Sequence, residues 1–451
     1  MDNINSLSPL DGRYFNISKE LRNFFSETAF IKHRIEVEVK WFKSLFDANL
    51  PGLPILSKKA KSFLDDIILN ISTDDFLNIK NIEKVTNHDV KAIEYWLKNK
   101  IKENHELVKF QEFVHFACTS EDINNTAYAL MLFRSRESII LPTLTKIYTI
   151  LSDMSCKYAD QPMLSRTHGQ PASPTTTGKE LKNFSVRLYK EIETIKDIKI
   201  FAKMNGATGN YNAHVITYSE IDWNEFSKNF INSLGLLQNT HTTQIEPHDW
   251  ISNLFDSITR ANNILLDLNK DIWGYISLGY FKQIIKDGEI GSSTMPHKVN
   301  PIDFENSEGN LGLSNAIMRH MSDKLTQSRW QRDLSDSTVL RNLGVAIGYS
   351  LIAWKSCLRG LNKLELNKVR IDEDIDNCWE ILAEPIQTIM RRYNIENPYE
   401  KLKYLTRGKI INKEMIHDFI KNLNLPKETI DLLLKLTPRS YIGLAHTLAK
   451  H

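Results

Sequence analysis

Residues 249–283 read DWISNLFDSITRANNILLDLNKDIWGYISLGYFKQ. Apolar residues recur in this stretch at steps of three and four: Ile251, Leu254, Phe255, Ile258, Ala261, Leu265, Leu268, Ile272 and Tyr275. This spacing places them on one face of an α-helix. The stretch therefore predicts one helical face from Asp249 to Gln283, long enough to span a domain.

The same periodicity runs through further segments of the chain. They are Glu121–Tyr158 with an interruption near Pro142, Pro174–Lys203, Ile302–Leu325 and Asn342–Leu361. Strand signals are sparse, and the glycines at 206 and 209 predict a tight turn in 205–214. With only 18 Gly and 14 Pro, the composition also favours long helices. We therefore predict an all-α fold built on a bundle of long helices.

The length of 451 residues predicts more than one domain. Shorter helical patterns on both sides of the long ones divide the chain into an N-terminal helical domain (1–110), a central long-helix bundle (111–361) and a C-terminal helical domain (362–451). The long helices carry broad apolar stripes with scattered polar residues. Such helices can bury one face in their own subunit and another in a neighbour, which favours an oligomer; the alternative is a monomeric bundle.

The composition excludes several classes of protein. A net charge of +2 without a dense Lys/Arg run argues against a nucleic-acid partner. No apolar run reaches the roughly 18 residues of a membrane span, and the start of the chain lacks a signal peptide's apolar region. The four cysteines have no metal or redox spacing. These features favour a cytoplasmic protein with reduced thiols and a small-molecule partner.

A polar stretch between two strong helical patterns carries most of the predicted chemistry. Residues 291–301 read GSSTMPHKVNP, and they crowd hydroxyl groups, a cation and an amide just before a helix start. A helix N-terminus is a favourable place for an anion. The alternative is a polar interhelical loop without a ligand.

The stretch resembles the signature loop of the fumarase/aspartase superfamily, whose pattern is Gly-Ser-Ser-x-Met-Pro-x-Lys-x-Asn-Pro. We define residues 288–301 as the signature loop. The resemblance implies an all-α lyase that eliminates fumarate from a succinyl group, with Ser292 as the base. Such a base needs a strongly lowered pKa. The resemblance also implies substrate contacts from Ser293, Lys298, Val299, Asn300 and Asn306.

A second motif, SRTHGQPA at 165–172, centres on a single histidine. A lone histidine more often has a structural role than a catalytic one, so His168 by itself favours the structural alternative. The motif, however, resembles the Thr-His-Gly-Gln-Pro-Ala stretch of the adenylosuccinate lyases, a family within the superfamily. The resemblance implies that His168 is the general acid, a task that suits its near-neutral pKa. It also implies that Glu305 supports His168, although Glu305 alone reads as an acid in the first turn of a helix.

Two further motifs read first as helix starts. In HFACTSED (115–122), Thr119 or Ser120 is a predicted N-cap with acids in the first turn. In TNHD (86–89), Asn87 is predicted to open a helix that runs to Lys100. The resemblance adds that Thr119 and Ser120 grip a succinyl carboxylate and that Asn87, His88 and Asp89 bind substrate.

A last group of motifs points to a nucleotide. The start SPLDGRY (8–14) and the segment from Arg329 to Arg341 resemble those of adenylosuccinate lyases. Arginine suits bidentate phosphate binding; the alternative is an arginine-rich solvated face. The resemblance implies these substrate contacts: Arg13, Tyr14, Gln244, Arg332, Ser337, Thr338, Val339, Leu340 and Arg341.

The resemblance covers most of the chain and is closest to the bacterial branch. It implies cleavage of adenylosuccinate to AMP and fumarate, and of the succinylated aminoimidazole carboxamide ribotide, by a homotetramer whose sites are built from three subunits. No cofactor is implied. His241 and His248 have no third ligand at a usual spacing, so no metal is expected. The alternatives are argininosuccinate lyase or a catalytically silent structural protein on the same scaffold.

Overall fold

The computed structural model describes residues 5–284, 295, 298–406 and 411–451. Up to residue 248 its helices are α1 (Phe15–Ser18), α2 (Arg22–Phe25), α3 (Glu27–Asp47), α4 (Lys58–Leu69), α5 (Thr73–Thr86), α6 (Asp89–Ile101), α7 (Ser120–Ser135), α8 (Leu141–Lys157), α9 (Thr177–Asp197), α10 (Asn212–Thr217) and α11 (Trp223–Ser233). From there on they are α12 (Asp249–Ser277), α13 (Ile302–Leu325), α14 (Ser335–Leu340), α15 (Leu343–Asn362), α16 (Lys368–Asp376), α17 (Ala383–Arg392), α18 (Pro398–Thr406), α19 (Lys413–Lys421), α20 (Lys427–Lys435) and α21 (Ala445–Lys450).

Short 3-10 helices, a π-helical segment (Arg136–Ile140) and short strands complete the described secondary structure. The 3-10 helices are Lys19–Leu21, Val108–Phe113, Trp379–Leu382 and Pro438–Ser440. The strands form three pairs: antiparallel β1 (Pro162–Thr167) with β2 (Gln170–Thr176), parallel β3 (Phe201–Ala202) with β4 (Leu237–Gln238), and antiparallel β5 (Phe281–Gln283) with β6 (Leu364–Leu366). Long helices dominate, and the predicted all-α class is confirmed.

The long period that begins at Asp249 forms α12, but this helix ends at Ser277 rather than continuing to Gln283. Gly279 has a φ of 76°, and the Tyr280 N–H donates to the Tyr275 carbonyl at 2.8 Å. This is the Schellman end that a left-handed glycine permits. The residues after Gly279 then enter β5, so the predicted helix is too long at its C-terminus.

The other helix predictions differ in accuracy. The predicted helix Ile302–Leu325 is confirmed as α13, and α15 lies within one residue of the predicted Asn342–Leu361. The interruption predicted near Pro142 is a π-helical segment, Arg136–Ile140, between α7 and α8. A proline has no N–H to give to the preceding turn, which accounts for an irregularity just before it.

The prediction for Pro174–Lys203 is wrong at both ends. Residues 170–176 form β2, α9 begins only at Thr177 and ends at Asp197, and residues 201–202 form β3. The hairpin of β1 and β2 was missed because its prolines and polar residues lack the alternation of apolar side chains that marks a strand.

The chain forms two compact units. Unit 1 consists of Met1–Thr143, Glu191–Asn262 and Gly309–Ala353, and unit 2 of Leu144–Lys190, Asn263–Glu308 and Trp354–His451. Each unit combines segments from different parts of the chain, so the units do not test a division of the sequence into consecutive domains. The predicted division at residues 110 and 361 therefore stays a prediction. Among the described residues, no helix combines the length and hydropathy that a membrane crossing requires.

Each unit has its own apolar core. In unit 1, the fully buried Trp41 of α3 packs edge-on against Phe226 and Phe230 of α11. In unit 2, Leu164 of β1 packs into a cluster of buried residues from the C-terminal region that includes Leu382 and Ile416. The unit 2 core includes β1, the strand that precedes the predicted site residue His168.

Candidate active site

The two residues predicted to bind a succinyl carboxylate, Thr119 and Ser120, lie at the start of α7 in unit 1. Thr119 is the N-cap residue and Ser120 the first helical residue, which confirms the predicted helix start. One oxygen of Asp122 accepts the Thr119 N–H at 2.8 Å, and the other accepts the Asn205 N–H at 3.1 Å. Thr119 and Ser120 are half-buried. Since a helix start offers N–H groups and a positive dipole end, this segment has the donors that a carboxylate needs.

A buried ammonium group, missed in the sequence, joins this helix start to a second segment. Lys203 is 0% exposed, and its Nζ lies 3.1 Å from Asp122 Oδ1. The same Nζ donates to the carbonyls of Gly206 at 2.9 Å and Gln244 at 2.7 Å. Lys203 thereby fixes the backbone of Gln244, a predicted substrate contact. The available signal was a single lysine among the apolar residues of 200–204.

Gln244 lies beside the segment from Arg329 to Arg341, which is predicted to bind the nucleotide. Its backbone N–H donates to the Gln331 carbonyl at 3.3 Å, and its side-chain amide donates to the Ala207 carbonyl at 3.1 Å. Gln244 and Arg332 line one surface depression. The structure therefore brings together two predicted substrate contacts that lie far apart in the sequence.

Arg332 belongs to a buried network of charges. It donates to Glu121 Oε2 at 3.1 Å. The buried His248 has its Nδ1 3.4 Å from Glu246 Oε2 and its Nε2 3.9 Å from Asp336 Oδ2. Burial opposes a charged ring, yet the nearby carboxylates of Asp336 and Glu246 raise the pKa of His248 to about 10. The ring is therefore an imidazolium at neutral pH.

The same network contains the described residues whose geometry best suits a metal ion. One oxygen each of Glu121 and Asp336 and a ring nitrogen of His248 lie within 4.8 Å of one another. Sequence spacing gave no third ligand for His248, because these two acids reach it only through the fold. Arg332 already binds Glu121 at 3.1 Å, and both carboxylates of the cluster lie close to charged partners. We therefore describe the cluster as an ion network.

His88 is the N-cap residue of α6. Its Nδ1 accepts the Lys91 N–H at 3.1 Å. An accepting Nδ1 is unprotonated, so this geometry assigns the ring proton to Nε2, where the exposed ring can donate it to a substrate. The prediction that Asn87 opens this helix is wrong. Asn87 has a φ of 50° and is the left-handed C-cap of α5, a position that asparagine tolerates.

Asp89 and Arg341, both predicted substrate contacts, bind each other. Arg341 and Arg34 donate to the same Asp89 oxygen, at 3.2 and 2.7 Å. Burial tends to raise the pKa of Asp89, but the charges of Arg34 and Arg341 hold it below its usual value. Arg341 also lies 3.6 Å from Glu27. Its side chain is 46% exposed, which leaves N–H groups accessible to a phosphate.

The remaining predicted nucleotide contacts of unit 1 lie in the N-terminal motif and in α14. Ser8 and Asp11 of the N-terminal motif line a depression together with Arg341. Arg13 is exposed, and Tyr14 is half-buried. Along α14, Ser337 and Val339 are half-buried, Thr338 is exposed and Leu340 is 2% exposed. Successive helical residues point in different directions, so α14 does not present all four side chains on one face.

In unit 2, His168 occupies the tip of the β1–β2 hairpin. Thr167 pairs with Gln170, so the turn consists of His168 and Gly169. Both have positive φ, 53° and 75°, as a type I′ hairpin turn requires. The structure thus exposes the His168 side chain at the end of a two-stranded arm.

The signature loop is described only in part. The predicted base Ser292 and its neighbour Ser293 lie outside the described residues. Lys298 is exposed, and Val299 and Asn300 are half-buried. The Gln283 side chain donates to the Val299 carbonyl at 3.1 Å, which ties the end of the loop to β5.

Two predicted residues lie in the first turns of α13. Glu305 accepts the Trp273 indole N–H at 3.1 Å; its predicted support of His168 stays a prediction. Asn306 Oδ1 accepts the Ser356 hydroxyl at 2.8 Å. The structure thus gives Glu305 and Asn306 partners within unit 2.

Comparison with known proteins defines the class to which this fold and site belong. A family model described as lyase matches residues 12–316. The fold is similar to that of a 3-carboxy-cis,cis-muconate lactonizing enzyme from Pseudomonas putida, with a TM-score of 0.75, 18% identity and coverage of 96% of this chain and 95% of that one. A fumarate lyase from Mesorhizobium sp. BNC1 gives a TM-score of 0.76 at 16% identity, covering 96% of both chains. The fold is that of the lyase superfamily.

More similar relatives narrow the family. A model for the adenylosuccinate lyase C-terminal region matches residues 328–442. Adenylosuccinate lyase of Buchnera aphidicola subsp. Schizaphis graminum is 55% identical over 99% of this chain and 98% of its own length, and that of Escherichia coli K12 is 53% identical with the same coverage. The chain belongs to the adenylosuccinate lyase family, which confirms the predicted family.

Proposed function

We propose that this protein cleaves adenylosuccinate to AMP and fumarate, and the succinylated aminoimidazole carboxamide ribotide to the corresponding carboxamide ribotide and fumarate. The observation that carries the proposal is the 55% identity with an adenylosuccinate lyase across 99% of the chain. Arginines beside a helix start rich in N–H groups suit a substrate with a phosphate at one end and carboxylates at the other. Argininosuccinate, the alternative substrate, has no phosphate.

The proposed reaction is a base-assisted elimination. Ser292, as an alkoxide, removes a proton from the carbon beside one succinyl carboxylate. The electron pair spreads into that carboxylate and then forms the double bond of fumarate as the carbon–nitrogen bond breaks. His168 gives its proton to the departing nitrogen. Donors at the start of α7 and on Lys298 and Asn300 stabilise the developing charge.

Phosphate recognition by Arg341 makes a testable prediction. The wild type should bind adenylosuccinate far more tightly than the nucleoside that lacks the 5′-phosphate. Arg341→Ala should shrink this preference, because a charge-assisted hydrogen bond is worth roughly 1.5–3 kcal/mol. Calorimetry with both ligands on both proteins measures the change.

The control for this experiment is Arg391→Ala, which removes an exposed arginine of α17 that has no predicted substrate role. Equal affinity of the wild type for nucleotide and nucleoside would contradict the presence of a phosphate site. An unchanged preference in Arg341→Ala would indicate that other residues bind the phosphate.

We further propose a cytoplasmic homotetramer whose active sites combine residues of different subunits. If His168 and Ser292 of one site come from different chains, the inactive variants His168→Gln and Ser292→Ala should restore activity when their subunits are mixed and reassembled. With random exchange in a symmetric tetramer, about a quarter of sites receive both intact residues. Turnover should approach roughly that fraction of wild type at equal mixing.

Each variant dissociated and reassembled alone is the control and should stay inactive. Mass spectrometry of the mixture establishes whether mixed tetramers form. Mixed tetramers without recovered activity would contradict the shared site and place His168 and Ser292 in one chain.

A further inference from the structure

The hairpin that carries His168 has little to hold it in place by itself. It consists of two short strands, and β2 contains Pro171 and Pro174, which have no N–H to donate. An isolated two-stranded hairpin is marginally stable in water. The orientation of His168 therefore depends on contacts that the hairpin makes with the rest of unit 2.

The main polar contact of β1 is with the C-terminal region. Arg166, two residues before His168, donates to Asp374 Oδ2 at 2.5 Å. The Tyr280 hydroxyl, just before β5, donates to the same oxygen. Both partners of the ion pair are partly buried, with 26% of the Arg166 and 18% of the Asp374 side chain exposed. Hydrogen bonds between charged groups in such surroundings are short and directional.

The C-terminal region also holds the hairpin at other points. On β2, the Ser173 hydroxyl donates to Glu384. On β1, Leu164 is 1% exposed and packs in the same apolar cluster as Leu382 and Ile386. Both strands are therefore attached to one support, and among the described residues Asp374 provides the charged contact nearest to the turn.

We propose that Asp374 is a positioning residue that holds the His168 turn through Arg166, with the C-terminal region as its platform. The inference rests on the proposed function, in which His168 protonates the departing nitrogen. It gives the C-terminal region a role in the reaction that no motif in its sequence predicts.

The test replaces Asp374 with Asn, which keeps the shape of the side chain and removes its charge. Misplacing a catalytic group by about 1 Å can cost roughly 100-fold in rate. We expect kcat for adenylosuccinate to fall roughly 10- to 100-fold, with KM changed less than threefold, because the remaining substrate contacts are intact.

The matched control is Asp376→Asn in the same helix. Asp376 binds Arg439, at 2.5 and 2.6 Å, and not the hairpin. Asp376→Asn should keep the wild-type kcat, while Asp374→Asn loses turnover. Asp374→Glu, which restores the carboxylate, should recover most of kcat. If Asp374→Asn does not fold, Arg166→Gln removes the same ion pair from the hairpin side and is measured instead.

A double variant separates positioning from general damage. If Asp374 acts through His168, then adding Asp374→Asn to His168→Gln should change the residual kcat less than twofold. A further loss equal to that of Asp374→Asn alone would overturn the proposal, as would a kcat of Asp374→Asn equal to that of Asp376→Asn. A wild type inactive towards adenylosuccinate would instead contradict the proposed function, so the two failures are distinguishable.

Discussion

We expect His168→Gln to cleave adenylosuccinate roughly 10²- to 10⁴-fold more slowly than the wild type while binding it with similar affinity. Glutamine approximates the size of the ring but cannot supply a proton at neutral pH. The departing nitrogen would then leave without protonation, whereas the proposed substrate contacts in unit 1 stay intact. Ser292→Ala should lose at least as much, because it removes the proposed base.

Single-turnover kinetics and calorimetry on the same preparations measure this split between turnover and binding. His105→Gln, which changes an exposed histidine without a predicted role, is the matched control and should behave as wild type. Near-normal turnover at saturating substrate combined with weak binding would contradict the acid and base roles of the two residues. It would indicate that they bind the substrate instead.

The buried ion pair of Lys203 and Asp122 predicts the second large effect. Lys203→Met should lower the free energy of unfolding by about 3–5 kcal/mol, the usual consequence of leaving one charge of a buried pair without its partner. The carbonyls of Gly206 and Gln244 would lose their donor at the same time. If Lys203→Met still folds, it should bind substrate more weakly than the wild type, because Lys203 connects the backbone of Gln244 to the start of α7.

Chemical denaturation at fixed protein concentration measures the loss of stability. Lys228→Met is the matched control, because the Lys228 side chain is 52% exposed and pairs with Glu225 three residues away. Exposed pairs contribute little, so the control should shift the free energy by less than about 1 kcal/mol. Equal denaturation midpoints for the two variants would contradict the structural role of Lys203.

Residue patterns predicted the helices well where one periodic face continued without a turn. α13 has the predicted bounds because its apolar residues and its proline-containing start both signal a helix. The helix predicted for α12 was too long, because the period of apolar residues continues past Gly279. Only the left-handed backbone of that glycine distinguishes a helix end from a continuation. Periodicity gives the face of a helix, but a single residue decides where the helix stops.

For the predicted site too, sequence patterns identify local features but not contacts between distant residues. Short motifs predicted Thr119, His88 and His168 as site residues, because the chemistry of each motif is local. The contacts that hold the segments of Thr119 and His168 are not local. Lys203 reaches Asp122 and Gln244 through the fold, and Asp374 reaches Arg166 across more than two hundred residues of sequence. Spacing along the chain carries no information about such partners.

The most direct test of the proposed function is an assay of the purified wild-type chain with adenylosuccinate. Ultraviolet absorbance follows the loss of substrate, and chromatography quantifies AMP and fumarate. We predict that AMP and fumarate form in equal amounts, and that argininosuccinate is not cleaved. Cleavage of argininosuccinate instead, or no product from either substrate by a correctly folded protein, would contradict the proposal.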